Sequence, residues 1–122
     1  MKMKERIEEM RLNLKLKKYD IKLVTVSKEE IEYFRENVRG PRKQDEITIR
    51  KYITRNWLLT ESNQKIEFRE DELVAIRTYG NLLMTMNLHT GVITNISNRK
   101  GYYKLNINET KKAELNKILG LK

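Results

Sequence analysis

Two groups of basic residues interleaved with tyrosines have the clearest capacity for chemistry in this chain. Lysine and arginine side chains bind phosphates, and a tyrosine ring can stack on a nucleotide base. One group lies within residues 39–55 and the other within residues 99–104. Their members are Arg39, Arg42, Lys43, Arg50, Lys51, Tyr52 and Arg55, followed by Arg99, Lys100, Tyr102 and Lys104. These residues predict binding of DNA or RNA, or of a protein partner that itself handles nucleic acid.

The net charge of the chain favours an anionic partner. It has 26 lysine and arginine residues against 17 aspartate and glutamate residues, a formal net charge of +9. Basic and acidic segments alternate, which indicates basic patches rather than a uniform coat. Amino-acid usage in AT-rich genomes explains part of the lysine excess. We attribute the rest to a polyanionic partner, because self-repulsion has a cost and basic surfaces attract polyanions.

Catalytic and metal-binding signatures are much weaker. The single histidine, His89, lies in a predicted hairpin loop and is interpreted as a solvated loop residue. Carboxylates gather at Glu67 and at residues 70–72, where a pair could hold Mg²⁺, but that segment is typical of a solvated turn. The chain has no cysteine, which excludes disulfides and thiolate metal sites. We therefore predict a non-enzymatic protein without a cofactor.

A second hypothesis is an inhibitor that binds a host nucleic-acid enzyme. A dense apolar run in the predicted sheet is a candidate protein interface, because only part of it can face the core. The run consists of Leu82, Leu83, Met84, Met86 and Leu88. A small basic chain without an enzyme motif is also a common profile among phage and mobile-element products. Some of those, such as anti-CRISPR proteins, inhibit host enzymes; this likeness is one of class and has no matching residues.

A third hypothesis is a metal-independent ribonuclease toxin, which needs only basic and aromatic side chains placed on a sheet. The candidates are Arg77, Tyr79, His89, Tyr102 and Lys104. Layout and composition alone support this hypothesis.

Length and hydropathy predict one domain of 122 residues in the cytoplasm. No apolar run approaches the ~20 residues that a membrane span needs. The N-terminus carries charges of both signs with no apolar stretch behind them, so it does not resemble a signal peptide. We expect no membrane partner, and the sequence does not predict an oligomeric state.

The N-terminal half predicts helices. Residues 2–18 have an apolar stripe typical of a helix, although alternating leucines leave open a helix to about Arg11 followed by a strand. The stripe consists of Met3, Ile7, Met10 and Leu14. Ile21–Val26 favours a strand. Ser27 and Glu30 have the spacing of a capping box, which predicts a helix over 28–39 that Gly40 and Pro41 end.

Residues 46–59 are ambiguous. The β-branched residues favour a strand, whereas the spacing of Ile49, Ile53 and Trp57 favours a helix. We prefer the helix, capped by Asp45, with Lys51 and Arg55 together on its outer face.

The C-terminal half predicts a meander of antiparallel strands and a closing helix. The predicted strands are 65–69, 73–79, 82–88, 92–96 and 102–107, separated by turn signals such as Gly80-Asn81. Asn108 is a good N-cap for a final helix that ends before Gly120. The sequence thus predicts an α+β fold: N-terminal helices, then a four- to five-stranded antiparallel β-meander, then a C-terminal capping helix.

Overall fold

A computed structural model describes residues 2–38, 44–98 and 107–121 of the chain. Within these ranges the chain has an α+β fold with a five-stranded sheet that is mostly antiparallel. Three described helices precede the antiparallel strands in the chain and one follows them. The helices are α1 Lys2–Lys17, α2 Lys28–Asn37, α3 Glu46–Leu59 and α4 Glu109–Leu119, with a 3₁₀ turn at Glu61–Asn63. The strands are β1 Thr25–Val26, β2 Lys65–Arg69, β3 Glu72–Tyr79, β4 Leu82–Asn87 and β5 Val92–Asn98. The predicted fold class is confirmed.

The sheet is mixed because the chain adds one short parallel strand to the meander. Its order is β1-β5-β4-β3-β2, and β1 pairs with β5 in parallel. The predicted strand Ile21–Val26 shrinks to two residues, since the amide of Val24 donates to Thr54 Oγ1 on α3 at 3.0 Å. Because the Val24 amide donates to a helix side chain, it is not available for the hydrogen bond to the sheet that a longer strand would make.

Helix α1 continues to Lys17, so the alternative of a helix followed by a strand is wrong. Its C-terminal half packs through Leu12 and Leu16 against a core cluster completed by Leu23 and α4. The apolar stripe predicted from the sequence does not enter the core.

Helix α2 begins after Ser27 as predicted, but the capping box is wrong. Ser27 makes no side-chain capping bond, and its buried hydroxyl has no hydrogen-bond partner among the described residues. The carboxylate of Glu30 instead accepts from the amide of Ile96 on β5 at 2.8 Å. The helix ends at Asn37, because Val38 is extended with φ −108° and ψ 130°. The predicted stop at Gly40 and Pro41 lies outside the described residues.

Residues 46–59 form a helix, as preferred from the spacing of their apolar residues. Asp45 caps it, accepting from the amide of Thr48 at 2.8 Å. Ile49, Ile53 and Trp57 are buried against the sheet. Packing of this face outweighs the β propensity of the segment, as tertiary context commonly does.

The meander follows the predicted strands from Lys65 to Asn98. Glu70 and Asp71 both have positive φ, 50° and 64°, as a two-residue type I′ turn requires. Gly80 opens the next turn with φ 61°. The predicted strand 102–107 lies outside the described residues except for Ile107, which is not in a strand.

One face of the sheet packs on α2 and α3 to form the main core. Its fully buried members include Ala75, Met84 and Ile93 from the sheet and Phe34 and Ile53 from the helices.

Helix α4 has the predicted caps. Asn108 accepts from the amide of Lys111 at 3.0 Å. At the other end Gly120 is left-handed with φ 75°, and the amide of Leu121 donates to the carbonyl of Asn116 at 2.7 Å. This is the bond pattern of a Schellman motif, so both ends of α4 are fixed by local sequence. In the described part of the chain, no helix is long and apolar enough to cross a membrane.

Candidate nucleic-acid interface

Arg55 lies at the centre of a basic and aromatic surface between α3, α4 and the end of β3. Its Nε and Nη2 donate to Asn56 Oδ1 at 3.2 and 2.9 Å. Its Nη1 donates to Asn116 Oδ1 on α4 at 3.1 Å. Neutral amide oxygens therefore fix the orientation of the guanidinium without neutralising its charge.

Two tyrosine rings flank the same guanidinium. The Cζ atom of Arg55 lies 5.3 Å from the ring centroid of Tyr52 and 5.8 Å from that of Tyr79. The ammonium of Lys112 lies 5.9 Å from the Tyr79 ring. These distances are within the range of cation–π attraction, so the rings and cations hold each other in place. We call Tyr52, Arg55, Tyr79, Lys112 and Asn116 the Arg55 cluster.

The Arg55 cluster has spare capacity to bind an anion. A guanidinium has five N–H donors, and the bonds to Asn56 and Asn116 use three of them. Among the described residues, no carboxylate forms an ion pair with Arg55 or Lys112. A phosphate would find two charges here and no competing carboxylate from the described residues.

Lys51 lies one turn before Arg55 and faces the other end of α4. A Cβ placed on Gly120 would lie 3.9 Å from its Nζ. The ammonium is thus at the C-terminal end of the helix, where the dipole favours a cation. Lys51 extends the positive surface from the Arg55 cluster along α3.

Arg50 belongs to the interior, although the sequence grouped it with the binding residues. Its side chain is buried, and its Nε donates to the carbonyl of Val24 at 2.9 Å. Its Nη1 forms an ion pair with Glu9 of α1. Arg50 joins α1, α3 and the segment before β1, so we leave it out of the candidate surface.

The remaining predicted binding residues lie outside the described residues: Arg39, Arg42, Lys43, Arg99, Lys100, Tyr102 and Lys104. Hydrogen bonds join described residues that precede these segments in the chain. Asn98 Nδ2 donates to the carbonyl of Asn37 at 3.0 Å, and the Asn98 amide donates to Tyr33 Oη at 2.8 Å. The C-terminal ends of α2 and β5 are therefore in contact.

The Arg55 cluster lies at the same end of the sheet as Asn98. Tyr79 pairs with Leu82, and Leu82 pairs with Asn98. The fold gathers Lys51, Tyr52 and Arg55 with residues that sequence reasoning missed, namely Asn56, Lys112 and Asn116. The spacing of Lys112 and Asn116 puts them on one face of α4, but nothing in the sequence indicates that this face meets Arg55.

Tyr102 and Lys104 lie outside the described residues, and of the three described ribonuclease candidates, His89 lies far from Arg77 and Tyr79. Arg77 stacks on Trp57, 4.2 Å from the ring centroid, and donates to the Trp57 carbonyl and to Gln64. Burial lowers its pKa from the usual value, although arginine stays charged. His89 is exposed beyond β4, whereas Tyr79 is at the opposite end of β3. The five ladder steps between Leu82 and Asn87 separate these ends by about 17 Å.

The acidic residues between positions 67 and 72 lie at the exposed end of the β2–β3 hairpin. Glu67 pairs with Arg69, and Glu72 accepts from the side chain of Asn87. Across the described ranges, no three histidine or carboxylate side chains lie close enough to hold a metal ion.

The apolar run predicted as an interface is largely core. Leu82 and Met84 are buried, Leu83 and Met86 are partly buried, and Leu88 is exposed. The exposed apolar residues of the sheet region lie farther along the same sheet face, where β2 extends past the helices. Ile66, Phe68, Leu73 and Leu88 make up this edge patch, with Phe68 77% exposed.

A family model described as YorE matches residues 24–118, most of the chain. The chain belongs to the YorE family. The YorE match contains α2, α3, the whole sheet and nearly all of α4, and thus every residue of the Arg55 cluster. Helix α1 lies before it. Neither the curated proteins nor the solved structures contain a significant match to the chain.

Proposed function

We propose that this YorE-family protein is a non-enzymatic nucleic-acid-binding accessory protein of phage or mobile-element type. The observation that carries the proposal is the Arg55 cluster, a guanidinium held by neutral amides and flanked by two tyrosines and a lysine. The net charge of +9 supports it.

The chemistry of the cluster suits a nucleic-acid backbone. The two N–H groups of Arg55 that do not bond to Asn56 or Asn116, together with the ammonium of Lys112, would bind phosphate oxygens by charge-assisted hydrogen bonds. Tyr52 and Tyr79 are partly buried, so each offers only part of its ring to a base. Contacts of this kind position a backbone without reading base sequence. We therefore expect binding with little sequence preference.

The test is a fluorescence-anisotropy titration of the full chain with labelled single-stranded DNA, duplex DNA and RNA. We expect binding that weakens steeply between about 50 and 200 mM salt, because each phosphate contact releases counterions. Arg55→Ala should lower the affinity about tenfold and reduce the slope against log salt by about one. No binding of any of the three at low salt would overturn the proposal.

Arg69→Ala is the matched control. It removes the same charge from an exposed position, but Arg69 is paired with Glu67 at the far end of the sheet. Its affinity should stay within about twofold of the wild type. If both variants lose the same affinity, bulk charge explains the binding and the cluster does not.

The edge patch favours a second candidate function, inhibition of a host nucleic-acid enzyme through protein contacts. Ile66, Phe68, Leu73 and Leu88 continue the core face beyond α3, and exposed apolar surface of this kind marks interfaces. Phe68→Ser should abolish capture of such an enzyme and leave nucleic-acid affinity unchanged. Retention of the enzyme by the Phe68→Ser protein would rule out this surface.

A further inference from the structure

The outward face of α1 carries an apolar stripe that the described chain leaves uncovered. Met3, Met10 and Leu14 are 76%, 65% and 68% exposed, and Ile7 is 45% exposed. Their offsets of four, three and four residues are those of positions a and d of a heptad. We call these four residues the α1 seam.

The seam points away from the domain. Leu12 and Leu16 pack against the second core cluster, and Glu9 forms the ion pair with Arg50. Successive residues of a helix are about 100° apart, which places the seam on the side opposite these three residues. The domain therefore holds α1 by one face and presents the other to solvent.

The charges beside the seam are sorted by sign. With Ile7 and Leu14 at a, the flanking e and g positions hold Lys4, Arg6, Arg11 and Asn13. The acidic residues of α1 take positions b, c and f, which do not border a seam. These acidic residues are Glu5, Glu8 and Glu9. A helix that packs on the seam would therefore meet three cations and no anion from its flanks.

We propose that the α1 seam forms a two-stranded coiled coil with a helix of a partner protein that carries acidic residues at its own e and g positions. A second copy of this chain would oppose cation to cation in either orientation, which disfavours self-association. A stripe limited to a and d is a coiled-coil seam, narrower than the apolar face of a helix that lies on a membrane. The seam precedes residue 24, where the YorE match begins.

The probe is a designed peptide of three heptads with Ile at a, Leu at d and Glu at e and g, labelled for anisotropy. A matched peptide carries Lys at e and g. We expect the full chain to bind the acidic peptide at least about tenfold more tightly, because three opposite-charge pairs replace three like-charge pairs. Equal binding of both peptides, or no binding of either, overturns the proposal.

Two variants locate the site. Ile7→Ser combined with Leu14→Ser should abolish binding of the acidic peptide, whereas Leu88→Ser, which removes another exposed leucine, should not change it. Lys4→Glu, Arg6→Glu and Arg11→Glu together should reverse the preference toward the basic peptide. These side chains are exposed, so circular dichroism and thermal unfolding should match the wild type.

Two further measurements test the other possible partners of the α1 seam, a second copy of this chain and a membrane surface. Sedimentation velocity should show a monomer, and a dimer that the Ile7→Ser, Leu14→Ser protein loses would overturn the proposal in favour of a second copy. Flotation with phosphatidylserine vesicles should be the same for wild type and this variant. Vesicle binding that depends on the seam would overturn it in favour of a membrane surface.

Discussion

The two halves of α3 use the same residue type in opposite ways. In the N-terminal half, Arg50 is buried, bonded to the Val24 carbonyl and paired with Glu9. In the C-terminal half, Arg55 is partly exposed, held by amides, and without a carboxylate partner among the described residues. A buried arginine needs its charge and donors satisfied within the fold, whereas one held by neutral groups keeps its charge for a ligand. The environment of the guanidinium therefore separates the structural Arg50 from Arg55, which we propose as a binding residue.

Arg50→Ala tests the structural half and has the largest expected effect. It leaves the Val24 carbonyl and the Glu9 carboxylate without their partner, so the free energy of unfolding should fall by about 2–3 kcal/mol. Urea denaturation measures this. The exposed Arg69→Ala variant should change it by less than about 0.5 kcal/mol. If the Arg50→Ala protein has the wild-type free energy of unfolding but no longer binds nucleic acid, the distinction between the two arginines is wrong.

Asn116→Asp tests the proposed binding role of Arg55 by adding a carboxylate beside it. The new anion competes with phosphate for the guanidinium, so nucleic-acid affinity should fall about tenfold, or about 1.4 kcal/mol. The free energy of unfolding should stay the same or rise slightly, because the new carboxylate would form an ion pair with Arg55. Asn116→Ala is the control, and its smaller loss of affinity would show that the added charge, not the lost amide, weakens binding. Unchanged affinity in Asn116→Asp would remove Arg55 from the interface.

Asp45→Ala tests how firmly the N-terminal half is anchored. It removes the cap of α3 and should cost about 1 kcal/mol of stability without changing nucleic-acid affinity. Chemical denaturation at neutral pH measures the loss, and anisotropy checks the affinity.

The stability that the Asp45 cap contributes should depend on pH. Hydrogen bonds from Thr48 lower the pKa of Asp45 below its ordinary value of 3.8, more than partial burial raises it. The carboxylate therefore contributes fully above pH 3.8, and this contribution is lost as the pH falls through the folded-state pKa. Asp45→Asn keeps an acceptor that does not titrate. Its stability difference from wild type should shrink on acidification from pH 6 to pH 3; a constant difference would contradict this assignment.

Arg55→Lys has the smallest expected effect. The charge stays, so the slope of affinity against log salt should be unchanged, while loss of the planar fork should weaken binding about threefold. Salt titrations of the wild type and of Arg55→Lys measure both the affinity and its slope, and so separate loss of the planar fork from loss of charge. Full retention of affinity would mean that only the charge of residue 55 matters.

Prediction from the sequence succeeded where neighbouring residues decide the structure. Asp45 and Asn108 cap helices because a side-chain oxygen reaches an amide three residues ahead, and Gly120 ends α4 because it has positive φ. The strands from Lys65 to Asn98 follow from their apolar residues and turn signals. These interactions span only a few residues and need no knowledge of the rest of the fold.

Tertiary structure decided everything that depends on distant partners. Glu30 bonds to β5 rather than completing a capping box, and the apolar stripe of α1 faces solvent. Arg50 and Arg55 are five residues apart on one helix, and the sequence placed them in one group. Their different surroundings come from Glu9, Val24 and Asn116, which only folding brings into contact with them, because burial and charge pairing depend on all the neighbours of a side chain.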